Sequence, residues 1–141
     1  MQHAVNSIIK GCVEAAERTP QKPAIYYSGH KISYKELHEQ VLRTAQSLHE
    51  HSVKRGDRVL FYGEKSPHFV RTYLACHLVG AIAVPVDVQM PMDELSKVYH
   101  RVQPVLALFP AAKTWPFPFQ EWGEEFMSYS RYMIERFPNP N

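Results

Sequence analysis

The stretch from Gly56 to Pro91, GDRVLFYGEKSPHFVRTYLACHLVGAIAVPVDVQMP, constrains the fold more than any other part of the chain. Val59 to Tyr62 is a short apolar and aromatic run suited to a strand buried on both faces. Ser66-Pro67 then supplies a helix start: a hydroxyl to cap the first free amides and a proline at the first helical position. Phe69, Val70, Tyr73, Leu74, His77 and Leu78 follow at spacings of three and four, which predicts one apolar stripe along a helix. Gly80 suits the left-handed conformation that ends such a helix. Ala81 to Val86 is a second apolar run, closed by Pro85 and Pro91, and reads as a second buried strand. Two strands joined by one helix predict a right-handed βαβ crossover.

The flanking segments extend this unit. Val5 to Glu17 places Val5, Ile8, Ile9, Cys12, Val13 and Ala16 on one side of a helix, and Thr19-Pro20 and Lys22-Pro23 stop it. Ala24 to Tyr27, a turn at Ser28-Gly29-His30-Lys31, and Ile32 predict a small hairpin. Ser33-Tyr34-Lys35-Glu36 is a capping box, opening a helix to about Glu50 whose inward face is Tyr34, Leu37, Val41, Ala45 and Leu48. After the central unit, Pro91 to Val102 reads as a helix with Leu95, Val98 and Val102 apolar. Val105 to Phe109, beyond Pro104, reads as another buried strand. The alternation predicts an α/β fold, a doubly wound parallel sheet with flanking helices and a small N-terminal hairpin.

Residues 111–141 depart from that pattern. TWPFPFQEW is proline-punctuated to about Phe119, and Glu121 to Phe137 reads as a helix with Trp122, Phe126, Tyr129, Met133 and Phe137 on a broad apolar face. That face needs a partner: the sheet, a following subdomain or a second copy of the chain. PNPN, ending at Asn141, reads as a linker. Two segments follow, an α/β subdomain over 1–110 and an aromatic, Pro-rich segment with a C-terminal helix and linker over 111–141.

Composition excludes several function classes. A net charge of +2 on 141 residues argues against a nucleic-acid surface. No apolar run is long enough for a membrane span. MQHAVNSIIKG has neither the apolar core nor the cleavage site of a signal peptide. Cys12 and Cys76, each in a predicted helix, read as two buried thiols rather than a disulfide, which points to the cytoplasm. His49 and His51 suit the negative end of a helix better than a metal, with no ligand cluster beside them. Asp87 lies where open α/β sheets often bind ligands, but without a second titratable group it reads as a local loop cap. The chain has no G-x-S-x-G elbow, H-E-x-x-H or Cys-x-x-Cys motif. Ser33 and Ser66 are used as caps, and Cys76 on an apolar face is inert. No catalytic, cofactor-binding or metal residue is assigned.

Four motifs in order carry a family resemblance: AERTPQKPAI (Ala16 to Ile25), ISYKEL (Ile32 to Leu37), GDRV (Gly56 to Val59), and SPHFVRTYLACHLVGAIAVPVDVQMP. Over residues 8 to 110 the chain resembles the early part of the adenylate-forming, AMP-dependent synthetase/ligase superfamily, and its acyl-CoA synthetases more than its peptide-synthetase domains. The resemblance implies a partial N-terminal subdomain of that fold. It also implies a whole enzyme that uses ATP and Mg²⁺ to activate a carboxylic acid, releases pyrophosphate, and passes the acyl group to coenzyme A or a carrier thiol. The superfamily's Ser/Thr/Gly-rich phosphate loop, its ribose-binding aspartate and its catalytic lysine do not occur in these residues. The six glycines, at 11, 29, 56, 63, 80 and 123, stand too far apart to form such a loop. The expectation is therefore an N-terminal fragment of a ligase, inactive alone and completed by residues beyond Asn141. The alternatives are a stand-alone non-catalytic interaction module that uses the aromatic tail, and an unrelated flavodoxin-like binding domain.

Overall fold

The computed structural model describes residues 2–62, 66–110, 120–121 and 132–136. The capping signals place its helices. Ser33 precedes α2 (Tyr34–Glu50), where the Glu36 N–H donates to Ser33 Oγ at 3.1 Å and the Ser33 N–H to Glu36 Oε1 at 3.4 Å. Two orphan amides are thus satisfied reciprocally. Ser66 opens α3 (Pro67–Val79) in extended geometry, and Gly80 closes it at φ 78°, ψ 15°. Ahead of them lie α1 (Gln2–Arg18) and a hairpin of β1 (Pro23–Tyr27) and β2 (His30–Ser33). Ser28 at φ 48° and Gly29 at φ 77° form the two-residue turn, whose twist matches that of the strands.

The second sheet takes β3 (Arg58–Tyr62), β4 (Ile82–Val86) and β5 (Leu106–Pro110), with α4 (Met92–Val102) between the last two. β3 pairs in parallel with β4 on one side and β5 on the other. Alternation along the strands splits the core in two. Val59, Phe61, Leu106 and Leu108 pack with the α1–α3 side, whereas Leu60, Ala107 and Val86 pack with Leu95 and Tyr99 of α4. Helices cover both faces, as expected for a doubly wound sheet.

Three expectations need correction. The sheet is mixed: β7 (Tyr132–Arg136) runs antiparallel to β5, and β6 (Gln120–Glu121) antiparallel to β7. The end of the predicted C-terminal helix is therefore strand. Residues 132–136 match 106–110 one for one, from Leu106↔Arg136 to Pro110↔Tyr132, so the hydrogen-bonding edge of β5 decides their conformation rather than helical spacing. The rest of that predicted helix (122–131 and 137), the proline-punctuated stretch (111–119) and PNPN fall outside the described residues.

Second, β4 is an edge strand rather than a doubly buried one: Ile82 is 50% exposed and Pro85 is exposed. The Ile82 N–H donates to Asp57 O at 2.7 Å, so strand alternation turns the nitrogen of Pro85 off the sheet, where a missing donor costs nothing.

Third, α3 is buried on more than the expected stripe: Phe69, Val70 and Tyr73 pack against the core, half-buried, but the deepest positions lie on the adjoining face. Leu74 is buried as expected, but its companions are His68, Arg71, Thr72, Ala75 and Cys76, and Leu78 is exposed.

Gly80 holds a left-handed backbone, and a Cβ there would stand 3.1 Å from Arg55 Cγ. Gly56, at φ 85°, has open space around it. Gly56→Ala should therefore cost about 1 kcal/mol from backbone strain alone, and Gly80→Ala more, about 2 kcal/mol. Urea denaturation of the two variants checks the order.

Candidate functional site

Two ends of the parallel strands must be distinguished. At the amino end, the GDRV residues tie the unit together. The Gly56 N–H donates to Gly80 O (2.9 Å), the Lys54 N–H to Asp57 Oδ2 (2.7 Å), and the Val105 N–H to Arg58 O (3.0 Å). Arg58 Nε donates to Val102 O at 2.6 Å, which satisfies a carbonyl at the end of α4. Asp57 is buried. Every one of these contacts is structural.

The carboxyl end is where a fold of this kind places ligands. It holds the start of α3 at Ser66, the β4–α4 connection from Asp87, and the first turn of α4. Asp87 Oδ1 accepts from the Gln89 N–H at 2.8 Å and its carbonyl from the Met90 N–H at 3.1 Å, a local turn cap as expected. Ser66 Oγ accepts from the Phe69 N–H at 3.4 Å.

The starts of α2 and α4 do not suit a triphosphate. The Tyr34 N–H of α2 donates to Lys22 O and the Lys35 N–H to Pro20 O, both at 3.0 Å, so those amides are already engaged. The first turn of α4 carries Asp93 and Glu94, whose charge opposes an anion.

Sequence reasoning missed a buried polar cluster on α3. Arg71 Nη2–H donates to His68 Nδ1 at 3.0 Å, and Thr72 Oγ1 lies 3.5 Å from His68 Nε2. Guanidinium can only donate, so Nδ1 is the acceptor and the imidazole proton sits on Nε2. Burial, aided by the Arg71 charge, holds the His68 pKa down at about 3. His68 is thus a neutral acceptor for a buried cation. The available signal was the i, i+3, i+4 spacing of His68, Arg71 and Thr72 with Ala75, which competes with the apolar stripe; polarity hid it.

The two cysteines are free, with Cys76 buried and Cys12 only partly so. Burial pushes the Cys76 thiol up to about 12. Cys12 lines a small apolar cleft between α1, α2 and α3, walled by Ile9, Leu37, Val41 and Leu74. His51 Nδ1 is 2.7 Å from Ser47 O, a helix-end contact. No group of three metal-ligating side chains occurs among the described residues. No helix of the described residues is long and apolar enough to cross a membrane.

A family model described as "AMP-binding enzyme" matches residues 12–134. Surfactin synthase subunit 3 of Bacillus subtilis (strain 168) is 37% identical over 83 residues, 59% of this chain and 6% of its own length. The fatty acid–[acyl-carrier-protein] ligase ScoC of Streptomyces coeruleorubidus is 26% identical over 137 residues, 89% of this chain and 26% of its own length. Among solved structures, the N-terminal subdomain of NpsA from Klebsiella oxytoca superimposes with a TM-score of 0.71 at 26% identity, over 79% of this chain and 29% of that one. The chain spans about a quarter or less of the length of these relatives.

Two outcomes are expected at this site. Because the folded His68 pKa lies below its unfolded value of 6.5, the unfolded chain binds the extra proton. Stability is then full above pH 6.5 and falls as pH drops toward 3. Between pH 6 and 4, urea midpoints should show wild type losing roughly 2 kcal/mol more than His68→Gln. In thiol labelling of the native protein at pH 8, Cys12 should react and Cys76 should stay protected until denaturant is added.

Proposed function

This chain belongs to the AMP-binding enzyme family, and from that premise we propose that it forms the N-terminal supporting part of an AMP-forming acid–thiol ligase. The whole enzyme joins a carboxylic acid to ATP with release of pyrophosphate, then transfers the acyl group to coenzyme A or a carrier thiol. The single observation that carries this reading is the family match across residues 12–134. The names of the relatives support it at the level of reaction type. ScoC is a ligase of fatty acids to acyl carrier protein, and a 3-hydroxybenzoate–CoA ligase from Aromatoleum sp. (strain CIB) is 38% identical over 79 residues. Free thiols in both cysteines are in keeping with a cytoplasmic enzyme.

Within that enzyme this segment acts as scaffold. The described carboxyl-end residues cap turns and helices, and the engaged amides of α2 and the acidic start of α4 offer no cradle for triphosphate. The phosphate-binding loop, the ribose contact and the catalytic lysine are supplied from beyond these 141 residues, and the 141-residue chain alone does not adenylate.

Calorimetric titration of ATP–Mg²⁺ into the chain, alongside pyrophosphate release with a panel of aliphatic and aromatic acids, tests this directly. No binding heat and no pyrophosphate are expected; tight binding or turnover overturns the scaffold role. The reading frame past the Asn141 codon supplies the positive arm. It should stay open and encode a Ser/Thr/Gly-rich loop ending in lysine within a few dozen codons, and a stop codon there counts against a ligase.

A further inference from the structure

We draw no further inference here: the strongest candidate, the small apolar cleft between α1, α2 and α3 that Cys12 lines together with the exposed Leu42 and Leu78, carries nothing, because nothing in the structure shows what covers it.

Discussion

The geometry of the whole unit depends on a short set of main-chain ties at the amino end of the parallel strands. Gly56 N–H to Gly80 O fixes the start of β3 beside the end of α3, and Ile82 N–H to Asp57 O starts β4 in register one bond later. Asp57 itself folds back on the Lys54 amide, which holds the approach to β3 in one conformation. Val105 N–H to Arg58 O and Arg58 Nε to Val102 O add β5 and the end of α4 to the same point. Left-handed glycines at 56 and 80 permit the close approach, because each turns the chain where a side chain would strain the backbone. A Gly-Asp-Arg run and a distant helix-ending glycine therefore belong together for a mechanical reason.

A scaffold fixed so firmly at one end leaves the other to vary. At the carboxyl end the described polar groups serve their own neighbours: Asp87 caps its turn and Ser66 caps α3. The contacts that tie strand to strand and helix to strand thus gather at the amino end, and among the described residues the carboxyl end keeps only local caps. That distribution accounts for the breadth of the relatives, which include a surfactin synthase subunit and coenzyme A ligases of aromatic acids. One stapled frame carries different chemistries when the variable parts lie outside it.

Much of this was legible in the sequence wherever a local rule dictated the outcome. The capping box at Ser33 and Glu36, the Ser66-Pro67 start and the Gly80 stop each rest on short-range chemistry, and each appears in the structure; the turn expected over Ser28 to Lys31 is there but tighter, with His30 and Lys31 already in the strand. Failures came where partners far along the chain decide. Tyr132–Arg136 carries apolar residues at helical spacing, yet the ladder on β5 draws it into a strand. Ala81 to Val86 is apolar enough for the centre of a sheet, but Pro85 shows why it lies at the border. The buried polar cluster was invisible because burial of Arg71 depends on what surrounds α3, not on α3 alone.

That cluster also bears on what α3 is for. A guanidinium taken out of water is costly unless its donors are met, and a second cation beside it would make matters worse. His68 resolves the conflict by staying neutral and turning Nδ1 toward Arg71, at the expense of its own ability to titrate near neutrality. A histidine committed in this way is a poor general base, since its conjugate acid is too strong to form at working pH. The aromatic run Phe61–Phe69–Tyr73–His77, with successive centroids 5.6, 6.0 and 4.6 Å apart, secures the neighbouring flank of the helix. With one side held by a neutral histidine–arginine pair and the other by tilted, stacked and edge-on ring contacts in turn, α3 is fixed as a packing element of the fold.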